Sequence, residues 1–284
     1  MKILITGANG FIGSNLKYFL LKKNYDVYSI YRKKTNHKKD YFYNGNPINL
    51  VKLLSKIKPD VVIHLGALFI AEHKIDNIKQ LIDSNIVFTN YLLEAMTISG
   101  CNKIINTGTS WQNFNNKDYS PTNLYAATKQ AAFDILKFYH NTFNISYINL
   151  KLFDTYGPND TREKLFNVLM KYQNSKKTLN MSKGEQKVNL THVSDVCVAY
   201  HLSIKKLIKT KTKVGLEYGV SAKRNIKLKK LVNKFIEFNS LNININWGGR
   251  NYRKNEVFSP CSNLRPVPGY EPKISLEKGL KNLF

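Results

Sequence analysis

Tyr125 and Lys129 stand at i and i+4 in Tyr125-Ala126-Ala127-Thr128-Lys129, a spacing that puts both on one face of a helix. A phenol with an ordinary pKa of about 10 is a poor proton carrier at neutral pH. A neighbouring ammonium favours its phenolate and brings it toward the working range. The pair therefore reads as a proton donor and its tuner, and a hydroxyl cluster, Thr107-Gly108-Thr109-Ser110, ends an apolar run shortly before it. At the chain start, Gly7-Ala8-Asn9-Gly10-Phe11-Ile12-Gly13 sits between an apolar run and a helical one. Small residues there let backbone N–H groups and a helix N-terminus approach a pyrophosphate. The next apolar run ends Ile30-Tyr31-Arg32-Lys33, with no Asp or Glu where an NAD enzyme usually holds its ribose hydroxyls. Arg32 and Lys33 suit a 2′-phosphate instead, so NADPH is favoured and NAD remains the alternative.

These residues need a frame. Apolar runs at 2–6, 26–30, 60–65, 103–107 and 145–150 predict strands, and amphipathic stretches at 11–23, 48–57, 77–99 and 123–141 predict helices between them. Such alternation gives right-handed parallel crossovers, so residues 1–155 are expected to form an α/β domain, a doubly wound Rossmann-type sheet that binds the dinucleotide. After Tyr156-Gly157-Pro158 the alternation stops. Helices near 163–174 and 227–239, a loop at 183–187, an alternating stretch at 241–247 and a proline-rich tail predict a smaller mixed α/β lobe over 156–284. That lobe should bind substrate above the carboxyl ends of the strands, with the chain crossing between the two.

Composition narrows the class. With 284 residues, 43% of them hydrophobic, the chain has ample core material. Its longest apolar stretch, 60–71, is shorter than the roughly 18 residues a bilayer span needs, so no membrane segment is expected. The short run before the glycine loop lacks the features of a secretory leader, which points to the cytoplasm. Cys101, Cys197 and Cys261 are odd in number and far apart, fitting reduced thiols and offering no metal-ligand spacing. The 44 Lys and Arg against 19 Asp and Glu give +25, but the lysines are scattered. Diffuse charge steers anionic small molecules without making a nucleic-acid footprint, so no nucleic-acid partner is expected.

Gly7, Gly10 and Gly13, then His64-Leu65-Gly66-Ala67, the Thr109 cluster, Tyr125 with Lys129, and Tyr156-Gly157-Pro158 resemble the extended short-chain dehydrogenase/reductase family of nucleotide-sugar enzymes, over nearly the whole chain. Residues 106–114 and 123–131 are similar to the branch that contains CDP-abequose and CDP-paratose synthases and related reductases of 4-keto-6-deoxy sugars. The resemblance implies Tyr125 as general acid, Lys129 as its tuner and a ligand of the cofactor ribose, and Thr109 as the hydroxyl that shares the substrate oxygen, with Thr107 and Ser110 as alternatives. It places Leu65, Gly66 and Ala67 beside the cofactor and Ser110 beside the substrate. In the second lobe it implies that the 184–189 loop, with Lys187, covers the nucleotide sugar, that Arg250 and Arg253 hold its diphosphate, and that the protein is a homodimer. The family's 4,6-dehydratases carry an acidic pair directly after the threonine, where this chain has Ser110 and Trp111. Its GDP-fucose synthases add a cysteine near that strand end, and this chain has none there. His192, in an apolar segment, reads as a core histidine. What remains supports one hydride and one proton: an NADPH-dependent reductase of the 4-keto group of a CDP- or GDP-linked deoxy sugar, hexose or heptose. A 4-epimerase with retained NAD and a dinucleotide-binding sensor are the alternatives.

Overall fold

The computed structural model describes residues 1–32 and 37–283. The first part runs β1 (Lys2–Thr6), α1 (Phe11–Lys22), β2 (Asp26–Tyr31), β3 (Asp40–Phe42), α2 (Pro47–Ile57) and β4 (Val61–His64). Then come α3 (Ile78–Ile82) and α4 (Phe88–Ile98), joined by the π-helical turn Asp83–Val87, followed by β5 (Lys103–Thr109), α5 (Leu124–Phe143) and β6 (Ser146–Leu152). Local chemistry sets several of these boundaries. Asn46 accepts a hydrogen bond from the Ile48 N–H, with Pro47 in the first turn, and Asn123 does the same for the Ala126 N–H at the start of α5. On α2, Leu50, Leu54 and Ile57 form one buried stripe.

After β6 the chain forms β7 (Asp154–Tyr156), α6 (Leu165–Tyr172), β8 (Leu179–Met181), β9 (Lys187–Val188), β10 (Leu190–His192) and α7 (Val193–Lys209). It continues through β11 (Gly215–Val220), β12 (Ile226–Lys227), α8 (Leu228–Phe238), β13 (Ile245–Trp247) and α9 (Leu276–Lys281). The main sheet has seven parallel strands in the order β11-β6-β5-β4-β1-β2-β3. This is a Rossmann-type doubly wound sheet, and its order reverses between β1 and β4, where such folds open a ligand crevice. One apolar core lies against each face of the sheet, and a third, around Phe166, Leu231 and Phe235, supports the second lobe.

Several elements differ from the sequence reading. Between the strand expected at 26–30 and the helix expected at 48–57, where the sequence predicts no further element, the chain adds β3, a three-residue edge strand. The helix expected at 77–99 is interrupted by the π turn, and of the alternating stretch at 241–247 only β13 is strand. Within the span assigned to the second lobe, α7 packs on α1 and β11 pairs with β6, so a strand from beyond residue 156 completes the sheet. β11, Gly-Leu-Glu-Tyr-Gly-Val, holds two glycines and a glutamate and gave no apolar run to recognise.

Candidate active site

The glycine loop is tight because its neighbours are backbone. Gly7 has φ +70°, and a Cβ there would lie 2.7 Å from the Gly66 nitrogen; one on Gly13 would lie 2.2 Å from the Gly7 carbonyl oxygen. Gly10 caps α1 without any side-chain hydrogen bond, and Asn9 and Gly10 are exposed at that helix end. Free N–H groups and a positive dipole end therefore meet at the crevice. Phe11 is buried and Ile12 packs on the core. Arg32 is exposed at the end of β2, and Lys33 lies outside the described residues. These features fit a dinucleotide.

The loop Leu65-Gly66-Ala67 is fixed from below by a buried relay that the sequence did not reveal. The Gly66 N–H donates to Thr6 Oγ1 (3.1 Å), which contacts His64 Nδ1 (2.8 Å); His64 Nε2 contacts Thr89 Oγ1 (2.9 Å), which donates to the Asn85 carbonyl (2.7 Å). Because Thr89 spends its proton on a carbonyl, His64 must be protonated on Nε2 and bare on Nδ1. Burial, and secondarily the Lys129 charge, push the His64 pKa down to about 3, so the ring is neutral. Asn85, inside the π turn, accepts from the Leu68 N–H (2.7 Å) and donates to the Leu68 carbonyl (3.0 Å) and to Thr128 Oγ1 (2.9 Å). It ties the nucleotide loop to the helix carrying Tyr125 and Lys129.

Lys129 is 2% exposed and makes no hydrogen bond or ion pair among the described residues; burial pushes its ammonium down to about 8. Burial also pushes the Tyr125 phenol up to about 12, and the cation opposing that rise is Arg162, not the Lys129 expected to tune it. Tyr125 is thus a proton-loaded acid at neutral pH. Arg162 is held by Asp160 through two hydrogen bonds (2.7 and 2.6 Å) and lies 4.4 Å over the ring of Phe11. Thr109 ends β5, its N–H donating to Gln112 Oε1 (2.8 Å), and Gln112 donates to Gln130 on α5 (2.7 Å). That bridge sets the strand end against α5, the helix that carries Tyr125 and Lys129. Of the alternatives to Thr109, Thr107 bonds the Tyr200 hydroxyl (2.7 Å), whereas Ser110 lines the large cavity.

That cavity, of about 720 Å³, lies between the strand ends and the second lobe and is lined by Ser110, Trp111, Lys187, Arg250 and Arg253 among others. Its floor includes Phe69, whose ring meets Tyr125 edge-on at 4.9 Å. Glu72, which the sequence did not single out, reaches from the loop after β4 to Arg250 (2.9 Å) and Arg253 (3.8 Å). Lys187 is exposed at the rim. His192 is buried and its Nδ1 accepts the Ser194 N–H at the start of α7. The three cysteines are free and buried. Among the described residues no cluster of three metal-ligating side chains occurs, and no helix is long and apolar enough to cross a membrane.

Glycine loop, hydroxyl strand end and Tyr–Lys helix on a doubly wound sheet define a nucleotide-dependent oxidoreductase class, and residues 3–215 match the NAD dependent epimerase/dehydratase family. The chain belongs to that family. It is 29% identical to the CDP-abequose synthase of Yersinia pseudotuberculosis over 275 residues, 94% of each chain. It is 25% identical to the UDP-glucuronate 4-epimerase of Thermodesulfobacterium geofontis, covering 98% of this chain and 93% of that one. The fold is that of MoeE5, solved in complex with UDP-glucuronic acid and NAD, at TM-score 0.87 and 23% identity over 100% of this chain and 97% of that one. The protein is therefore an enzyme of the epimerase/dehydratase kind.

Proposed function

We propose that the protein reduces the 4-keto group of a nucleotide-activated deoxy sugar, a CDP- or GDP-linked hexose or heptose, with NADPH. The observation that carries this reading is the strand end: Thr109 is followed by Ser110 and Trp111, so Tyr125 is the proton carrier there and no acidic pair stands beside it. A reduced nicotinamide would supply hydride to carbon 4. Tyr125, held in its protonated form by burial, gives its proton to the oxygen as the carbonyl becomes an alcohol. Thr109 holds that oxygen, and the unpaired Lys129 ammonium takes the cofactor ribose. Gly7, Gly10 and Gly13 admit the pyrophosphate, and Arg32 meets a 2′-phosphate. Arg250 and Arg253, released from Glu72, hold the substrate diphosphate.

The chain's similarity to a 4-epimerase favours a second reading, oxidation and re-reduction of carbon 4 with a retained NAD. Incubation with NADPH and a panel of 4-keto-6-deoxy sugar nucleotides separates them. One NADPH consumed per sugar supports the reductase; interconversion without net consumption supports the epimerase. Dinucleotide binding without turnover would leave a sensor. The free thiols fit a cytoplasmic setting. Exposed Tyr91 and Ile98 on α4 and Phe138 and Phe143 on α5 give a homodimer an apolar face to bury.

A further inference from the structure

The proposed function gives no part to Arg162, which stands where the second lobe meets the start of α1. It comes from the stretch between β7 and α6, and its own lobe holds it in place. Nε donates to one Asp160 oxygen (2.7 Å), and Nη2 donates to the other (2.6 Å) and to the Thr155 carbonyl (3.0 Å). Asn167, in the first turn of α6, donates to the Asp160 and Arg162 carbonyls and closes the stretch on itself. The guanidinium side chain is still 34% exposed, against 13% for the carboxylate that grips it. A guanidinium carries five N–H donors, and those on Nε and Nη2 are spent. The two on Nη1 have no partner among the described residues.

The other lobe supplies the surface beneath that group. The central carbon of the guanidinium lies 4.4 Å from the centre of the Phe11 ring. Phe11 is the first residue of α1, directly after Gly10. One residue therefore provides both the ring under Arg162 and a backbone N–H of the pyrophosphate-binding turn, which has no acceptor within the helix. The Arg162 charge also reaches Tyr125, where it is the cation that acts on the phenol. A dinucleotide with its pyrophosphate on the glycine loop and its reactive ring at Tyr125 runs between those two points and passes Arg162. On that route the group a cationic fork recognises is the phosphate on the nicotinamide side. Because Asp160 already fixes the arginine, little side-chain freedom is lost when the phosphate arrives.

We infer that Arg162 is a ligand of the dinucleotide's nicotinamide-side phosphate, meeting it with the Nη1 edge while Asp160 holds the rest of the guanidinium. The second lobe thereby shares in binding the cofactor as well as the substrate. This role requires only that the chain bind a dinucleotide, so it holds for reduction and epimerisation alike.

Calorimetric titration with a ladder of cofactor fragments, by displacement for the weaker ones, tests it. NADPH and 2′-phospho-ADP-ribose carry the nicotinamide-side phosphate, and 2′,5′-ADP ends before it. NADH, ADP-ribose and AMP take their places if the parent binds NADH more tightly. Arg162→Met should weaken the first two ligands of the ladder at least ~10-fold, as loss of a charge-assisted hydrogen bond implies, and the shortest one less than about twofold. Arg162→Lys, which keeps the charge without the fork, should fall between methionine and the parent. Thermal melting without ligand checks that each variant folds, and the lysine variant carries the test if the methionine one does not. Free CDP, GDP and UDP should bind the variants as they bind the parent. Equal losses along the whole ladder, or no loss in either variant, overturn the inference. So does a loss confined to the nucleoside diphosphates, which would give Arg162 to the substrate. A parent that binds no dinucleotide overturns it together with the cofactor reading. Because the readout is binding, a protein that shows the expected ladder but consumes no NADPH keeps Arg162 as a phosphate ligand and loses the reductase reading.

Discussion

The floor beneath the glycine loop and the wall of the large cavity handle polar groups in opposite ways. Under the loop, Thr6, His64, Thr89 and Asn85 satisfy one another, and the buried Gln112–Gln130 bridge does the same beside α5. Across the cavity, Asp154 and Lys164 make no side-chain hydrogen bond or ion pair among the described residues, and Glu72 occupies the exposed Arg250 and the half-buried Arg253. A satisfied network fixes one geometry for a cofactor that is the same in every turnover. Unsatisfied or provisional pairs leave work for a bound ligand to complete, which is what the proposed function asks of that wall.

Four substitutions probe this contrast. Tyr125→Phe, which removes a proton from the fixed side, should lower turnover by at least ~100-fold with dinucleotide affinity nearly intact; activity within a few-fold of the parent would remove the phenol from the mechanism. Arg32→Asp should change the NADPH-to-NADH preference by tenfold or more, since a charge-assisted phosphate contact is worth about 1.5–3 kcal/mol. A parent that already prefers NADH would reverse the reading of β2. The smallest effect belongs to Glu72→Gln. The pairs it breaks are exposed and worth about 0.2–1 kcal/mol, so the free nucleoside diphosphate should bind roughly two- to fivefold more tightly. Arg253→Ala should move the same titration the other way, and an unchanged affinity in both would put the diphosphate elsewhere.

On the fixed side the glycine loop and the Tyr–Lys pair were legible, while the relay beneath them was not. Glycine spacing and a Tyr–Lys pair one helical turn apart act through local backbone geometry, so a short window of sequence contains them. The Rossmann alternation was readable as far as β6 for the same reason. α7 and β11 return to the sheet from beyond residue 190, and nothing local marks a glycine-containing edge strand as the partner of β6. Glu72 sits 178 residues from Arg250, and Asp154, Lys164 and Arg162 acquire meaning only through Phe69, Phe11 and Tyr125. Side chains gathered from distant segments onto one cavity leave no periodic trace.

The relay through His64 also bears on how the whole protein tolerates acid. Its donors all point one way, from the Gly66 amide to the Asn85 carbonyl, so a second proton on the ring would set two donors against each other at the Thr6 hydroxyl. The folded ring refuses that proton until about pH 3, whereas the unfolded chain accepts it near its ordinary value of 6.5. Between those limits the unfolded state binds more protons, so folding stability falls as pH drops. The histidine that steadies this loop at neutral pH thus withdraws stability from the fold in mild acid, where the Tyr125 phenol stays protonated throughout.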